Sequence, residues 1–493
     1  MVFSTLFFLT VFLPAVLGAC WLSSCLLAWR ARKNHAEMSW RPVNAILLLA
    51  SLFFYFWGEG LGVGWLCLSV VANDWLARII HSRHEERSRK IALVFLVAAN
   101  LCFLGWFKYA GFLAQSVNSL LHLGVPVPHV LLPLGISFYT FQAMSYGIDV
   151  YRRETKPADS IIDFACYVTM FPQLVAGPIV RYADIETTLR YRIVSLDAIS
   201  SGWSRFLFGL GKKVLIANTV ASMADGVWSL ADRGLGMPPL LTALGILCYS
   251  LQIYYDFSGY SDMAIGLGRM LGFSFPENFL HPYCSASVRE FWRRWHISLS
   301  TWFRDYLYIP LGGNRKGKLR AGINGLVVFA LCGLWHGAGI MFVVWGLWHG
   351  LFLLLEKAFA SRPQKTFSLA ASIPRFLIGH VYTVFVFMAG WIFFRSETTL
   401  AFATIWKSLL GLLPVSPDSR ILWLDCTFRL QLALFAGVIL SYPIVPALRR
   451  IAVRVCGANT ALLIKSILAT VIGLFSILFL IGNSYNPFLY FRF

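Results

Sequence analysis

Charge is what this sequence most lacks. Only 13% of its 493 residues are Asp, Glu, Lys or Arg, and just 23 are acidic. A soluble domain carries about 25% charged residues, so half of the usual polar surface is missing. Hydrophobic residues make up 58% and the mean hydropathy is +0.67. Even a large core cannot hide that much apolar surface, so much of it must face lipid. Apolar stretches of about 20 residues recur along the chain, the length that crosses ~30 Å of hydrocarbon as helix.

Metal and disulfide patterns are missing too. The ten cysteines form no CxxC and no Cys/His ligand spacing. Cys67, Cys102, Cys166, Cys248 and Cys332 lie inside apolar runs, where cysteine behaves as a small hydrophobe. Neither a structural metal nor a disulfide framework is expected. No basic residue precedes Arg30, so the apolar run from Met1 lacks the start of a signal peptide. Leu17-Gly18-Ala19-Cys20 loosely resembles a lipoprotein cleavage box, but the apolar run continues through Trp21 to Trp29, as in an uncleaved first span. There is no low-complexity linker, no long repeat and no stretch fit for a soluble domain. A single membrane domain over residues 1–493 is expected.

The charge that is present is lopsided, with a net +19. In a soluble protein this would suggest nucleic acid. Here Lys and Arg gather in short loops between apolar segments, as the positive-inside rule requires, so the expected partner is the lipid bilayer and not nucleic acid. The first basic loop (Arg30, Arg32, Lys33, Arg41) places the N-terminus on the non-cytoplasmic side, and the C-terminus is expected on the same side. Val43–Ala77, broken by Gly58, Gly60, Gly62 and Gly64, reads as a hairpin of two helices. Leu131–Val150 and Leu430–Ile444 read as further spans, and Gly322–Leu355 as two short passes. Ile162–Val180, interrupted by Pro172 and Gly177-Pro178, is too polar for an ordinary span and reads as re-entrant or buried in protein. The expected fold is all-α and polytopic, with roughly 11 spans plus re-entrant and amphipathic helices.

Polar chemistry concentrates between Tyr254 and His349. Asp256 and Asp262 end a span; such groups are functional candidates at membrane depth, or interface residues that cap a helix. Ser287-Val288-Arg289-Glu290 fits a capping box, and a helix from there to Pro310 would align Arg289, Arg293, His296 and Ser300 as one polar stripe beside Trp292, Trp295, Leu299 and Trp302. The loop Leu311–Lys318 is basic and glycine-rich but lacks GxxxxGK[ST], which leaves a positive cytoplasmic turn or an anion contact. Two near-identical motifs follow, Leu334-Trp335-His336-Gly337 and Leu347-Trp348-His349-Gly350. A histidine on an apolar helix is more often a satisfied core residue than a catalyst. His336 rises above that reading because desolvation favours neutral, basic imidazole, and Gly333, Gly337 and Gly339 leave room for a substrate. His349 has similar surroundings, so residue pattern alone does not choose between them.

The ordered motifs Asp256-Phe257-Ser258-Gly259-Tyr260-Ser261-Asp262, Phe291-Trp292-Arg293-Arg294-Trp295-His296-Ile297-Ser298-Leu299-Ser300-Thr301-Trp302 and Tyr308-Ile309-Pro310-Leu311-Gly312-Gly313 resemble the membrane-bound O-acyltransferase (MBOAT) family. The closing Asn486-Pro487-Phe488-Leu489-Tyr490-Phe491-Arg492-Phe493 is similar to the end of its bacterial AlgI-type branch, the alginate O-acetyltransferases. The resemblance spans nearly the whole chain and is densest over residues 250–350, the expected catalytic core segment. It implies that His336 is the essential histidine and His296 the second site residue, orienting the acyl group or stabilising an oxyanion. It also implies a funnelled core in the bacterial inner membrane where a cytoplasmic donor, acetyl-CoA being the simplest, meets an acceptor from the other side. Acetyl groups would then pass to a periplasmic acetyltransferase partner and on to an exported polysaccharide such as alginate, with no metal involved. Peptidoglycan, cellulose and, more distantly, D-alanylated teichoic acid are the alternative polymers. A transporter of acyl carriers is the rival class, disfavoured because no inverted repeat is visible.

Overall fold

The computed structural model describes residues 2–35, 37–128, 130–359, 369–482, 485–487 and Leu489. The regular elements among the described residues are all helices. The chain divides into two compact units: Met1–Gly209 with Tyr260–Pro276, and Leu210–Gly259 with Glu277–Phe493.

In the first unit, α1 (Leu13–Lys33), α2 (Arg41–Glu59), α3 (Val63–Ser82) and α4 (Glu86–Leu121) turn large apolar side chains outward, among them Trp21, Leu49, Trp57, Trp75 and Phe95. Inverted exposure of this kind suits a lipid solvent. α2 and α3 meet at a 3-10 turn, Gly60–Gly62, where Gly60 takes φ +56°, a conformation open to glycine at little strain. α3 and α4 are clasped by reciprocal amides: Asn73 Nδ2 donates to Asn100 Oδ1 at 3.2 Å, and Asn100 Nδ2 to Asn73 Oδ1 at 2.7 Å. Next come α5 (Ile136–Arg152), α6 (Ile161–Thr169), the single turn α7 (Phe171–Leu174) and α8 (Tyr182–Arg190).

The polar, broken segment Ile162–Val180 lies inside protein: Cys166, Tyr167, Val168, Phe171, Leu174 and Val180 are fully buried. Its irregular backbone is satisfied internally, with Phe171 N–H on Ser51 Oγ at 3.1 Å and Tyr167 OH on the Val180 carbonyl at 3.0 Å. α9 (Leu196–Gly211) runs through a π-helical turn, Lys212–Ala217, into α10 (Asn218–Asp232), and α11 (Pro239–Met270) follows. The final turns of α11 belong to the first unit. There Gly266 packs so close to Gly202 of α9 that a Cβ on either would sit 2.6 Å from the other's carbonyl oxygen.

The second unit continues with α12 (Val288–Arg294), α13 (Ile297–Phe303), a π-helical turn Arg304–Tyr308, α14 (Lys318–His336) and α15 (Ile340–Phe359). α16 (Leu369–Arg395), α17 (Thr399–Leu409), α18 (Phe428–Leu440), α19 (Ile444–Cys456) and α20 (Ala458–Gly482) complete it. α14 and α15 are an intimate antiparallel pair. A Cβ at Gly333 would strike the Phe342 carbonyl, and one at Gly346 the Phe329 carbonyl, so the helices touch backbone to backbone, as small residues permit in membranes.

Nine helical stretches among the described residues are long and apolar enough to span a membrane, or ten with the bent pair Pro417–Asp425 and Phe428–Leu440. The protein is a multi-pass, all-α membrane protein, with fewer such stretches than the roughly 11 expected. Three segments differ from the expectation. α2 and α3 form one continuous 42-residue stretch, Arg41–Ser82. α5, expected as a span from Leu131, has only 17 residues, and most are buried in protein. The segment before Ile444 is the bent pair, kinked by 74°.

Candidate functional site

The site region begins with a helix that breaks. Ser287 caps α12, its Oγ accepting the Glu290 N–H at 3.1 Å, while the Glu290 carboxylate accepts the Ala286 N–H at 2.9 Å. Glu356 of α15 covers the remaining first-turn donors, Val288 N–H at 2.5 Å and Arg289 N–H at 3.0 Å. The helix expected to reach Pro310 stops at Arg294, and His296 takes left-handed φ +44°, a strained conformation for a side chain with a Cβ.

The physical reason lies in the segment before the helix. Leu280 N–H bonds the Arg294 carbonyl and Ile297 N–H bonds the Asn278 carbonyl, each at 3.0 Å. Asn278 Oδ1 accepts the Ser298 N–H at 3.2 Å and the Ser298 hydroxyl at 2.9 Å, and lies 3.1 Å from His296 Nδ1. The opening N–H groups of α13, orphaned at any helix start, are thus capped by a residue from another segment. The single stripe of Arg289, Arg293, His296 and Ser300 therefore does not form, because the chain turns at His296.

His296 is 1% exposed. Its ring meets the Phe257 edge at 4.6 Å and lies 6.4 Å from the Trp335 ring. Burial pushes its imidazole down from the usual value near 6.5 to about 3, so it is neutral at physiological pH.

His336 is the last residue of α14 and is buried at 3% exposure. Rings of Trp335, Trp345 and Phe394 surround it at 4.9, 5.1 and 5.1 Å. Two of the three glycines expected to leave room for a substrate, Gly333 and Gly337, are packed instead. The space beside Gly333 is filled by the Phe342 carbonyl, and that beside Gly337 by the Phe342 ring; both serve close packing of α14 on α15.

His349 is fully buried in α15 among Trp292 at 5.2 Å, Trp345 at 5.3 Å and Phe291 at 6.2 Å. Neither of its ring nitrogens has a hydrogen-bond partner among the described residues. α16 presses on it, since a Cβ at Gly390 would lie 2.6 Å from His349 Nε2. The fold thus sets His336 and His349 around one indole, Trp345, and links His296 to the same cluster through Trp335.

The two carboxylates are engaged in ion pairs. Asp262 meets Arg205 at 2.7 Å, and Asp256 meets Lys213, on the π-helical turn, at 2.7 Å with both side chains almost fully buried. Asp256 also accepts the Leu489 N–H at 2.9 Å, Lys213 donates to the Pro487 carbonyl, and Asn218 donates to Asn486 at 3.0 Å. The closing motif therefore docks on a buried ion pair; Phe488 and residues 490–493 lie outside the described residues. In the basic loop, Asn314 is tied to Tyr308 and Lys357, each at 2.9 Å, and Arg315, Lys316, Lys318 and Arg320 are exposed. Among the described residues no group of three or more His, Cys, Asp or Glu is placed to hold a metal ion.

Sequence reasoning missed Asn278, Lys213 and Trp345. Asn278 and Lys213 act through residues far from them in sequence, and Trp345 through packing on His336 of the preceding helix; only the capping preference of asparagine pointed faintly at the first.

The model of the MBOAT, membrane-bound O-acyltransferase family, matches residues 154–395. The probable alginate O-acetylase AlgI of Pseudomonas syringae pv. tomato is 44% identical over 407 residues, covering 80% of this chain and 73% of that protein. The peptidoglycan O-acetyltransferase of Helicobacter pylori is 33% identical over 451 residues, covering 84% and 81%. The teichoic acid D-alanyltransferase of Bacillus subtilis is 30% identical over 224 residues, covering 43% and 55%.

Proposed function

The chain belongs to the membrane-bound O-acyltransferase family, in its AlgI-type branch, and from that premise we propose that it moves acetyl groups from a cytoplasmic donor across the bacterial inner membrane, for O-acetylation of an exported polysaccharide such as alginate. Acyl transfer itself follows from the family. The polymer, the donor and the direction are the proposal.

The observation that carries it is the placing of His336. An imidazole at the end of α14, walled by Trp335, Trp345 and Phe394, suits a general base working away from water, a role worth roughly 10²–10⁴-fold. His336 takes the proton of the acceptor hydroxyl as its oxygen attacks the acetyl carbonyl. The bond from that carbonyl to the donor's sulfur breaks, and the proton passes to the departing thiolate. His296, tied to the same aromatic cluster, orients the acetyl group. Residues 250–350 form the catalytic core of one membrane domain open to the donor on one side and to the acceptor on the other.

Acetyl-CoA is the simplest donor, and the exposed cations of the loop at Arg315–Arg320 suit its phosphates. The acceptor is a periplasmic acetyltransferase partner that modifies the polymer, and both chain termini face the periplasm. The 33% identity to a peptidoglycan O-acetyltransferase over most of both chains favours a second reading, in which the polymer is peptidoglycan.

The test is acetyl incorporation into polymer by cells carrying His336→Ala, with membrane insertion checked. Loss of incorporation is expected; wild-type incorporation from folded protein would refute the assignment. Analysis of which polymer loses acetyl separates the two readings.

A further inference from the structure

Asn278 presents one amide atom to three neighbours, and one of those neighbours identifies it. The backbone N–H of Ser298 can only donate, so the amide atom 3.2 Å away must be the oxygen. The alternative amide orientation would set two donors against each other. That oxygen also accepts the Ser298 hydroxyl at 2.9 Å and lies 3.1 Å from His296 Nδ1. A carbonyl oxygen only accepts, so Nδ1 must carry the imidazole proton. In neutral imidazole the other nitrogen, Nε2, is then a bare lone pair. Nε2 is buried and has no hydrogen-bond partner among the described residues.

We infer that Asn278 is a positioning residue that holds His296 in the Nδ1-protonated tautomer, so that Nε2 serves as a hydrogen-bond or proton acceptor toward a donor in the acyl-transfer site. This rests on the reading of His296 as a site residue and sharpens it. Neutral His296 cannot donate from Nε2 to an oxyanion; it takes a hydrogen bond from an N–H or O–H group other than the attacking hydroxyl, whose one proton goes to His336. The backbone supports the arrangement, since Asn278 also accepts the Ile297 N–H and the left-handed φ of His296 is fixed from both sides. A turn made only to cap α13 would need the Ser298 contacts but not the one to Nδ1.

The experiment uses full-length protein in lipid nanodiscs with ¹⁵N-labelled histidine, read by solid-state NMR, the His296 signals being those lost in His296→Gln. Near neutral pH the wild type is expected to show a protonated Nδ1 and an unprotonated Nε2. Asn278→Leu should mix or reverse the tautomers and lower kcat for acetyl transfer by roughly 10²-fold, the lower range of acid–base catalysis, with KM little changed. Asn278→Asp, which keeps an oxygen toward Ser298 and Nδ1, should restore the tautomer and recover activity relative to Asn278→Leu. A protonated Nε2 in the wild type overturns the inference, as does an unaltered tautomer in folded Asn278→Leu. Should Asn278→Leu misfold, failure of Asn278→Asp to keep Nδ1 protonated overturns it instead. Full activity in His296→Ala, with the wild-type tautomer as inferred, would sink the site reading of His296 and leave the role of Asn278 in setting the tautomer standing.

Discussion

Replacing Lys213 with methionine tests how the closing segment is held. Lys213 and Asp256 are 2.7 Å apart with side chains 2% and 1% exposed, so their attraction is little screened by water. Removing the ammonium leaves a buried carboxylate whose described remaining contact is the Leu489 N–H. Breaking a buried pair on one side costs about 3–5 kcal/mol, whereas replacing both partners by apolar groups of similar volume is near neutral. Lys213→Met should therefore destabilise by about 3–5 kcal/mol, and Lys213→Met with Asp256→Leu by much less than the two single changes added together. The double variant still loses the donor to the Pro487 carbonyl and the acceptor for Leu489. Its tail should become cleavable even where its core is as stable as the wild type. The assay is thermal and denaturant unfolding of detergent-solubilised protein by tryptophan fluorescence, with limited proteolysis of the C-terminus. The reasoning is refuted if Lys213→Met lies within ~1 kcal/mol of the wild type, or if the single changes simply add.

Three other outcomes are expected. Gly346→Val forces a side chain into the Phe329 carbonyl and should destabilise by about 1–3 kcal/mol or more, checked by the unfolding midpoint, whereas Gly18→Ala, where a Cβ meets nothing within 4 Å, should not. Asn100→Leu breaks the amide clasp on Asn73 and should cost about 0.6–1.7 kcal/mol, the range for polar contacts between membrane helices. His296 is neutral in the folded protein down to about pH 3 but titrates near 6.5 when unfolded. Between those values the unfolded state binds the extra proton, so stability falls as pH is lowered, by about 2 kcal/mol at pH 5. Comparing the wild type with His296→Gln at pH 7 and pH 5 measures this; an equal loss in both proteins would contradict it.

The class of the protein was written in its composition. A chain with so few charges and so many apolar runs has no stable arrangement in water, so lipid-facing helices follow from sequence alone. The ordered motifs, carrying His296 and His336, were equally plain, since they depend on residue identity and spacing. Span boundaries were less legible. Hydropathy finds apolar stretches but not helix ends, so α5 and the bent segment before Ile444 read as ordinary spans.

What only the tertiary structure decided rests on contacts between residues far apart in the chain. Periodicity carried a helix smoothly through His296, because nothing nearby announces that Asn278 will cap α13 from another segment. Gly333 and Gly337 beside His336 read as open space, yet Phe342 of the adjoining helix fills it. Asp256 read as either functional or interfacial until Lys213 and the closing segment were brought to it. His336 and His349, alike in motif and in burial, were told apart by resemblance and not by packing, since Trp345 touches both. Local sequence determines which helices form and that they face lipid; which polar groups meet inside them is determined by the partners that folding brings together.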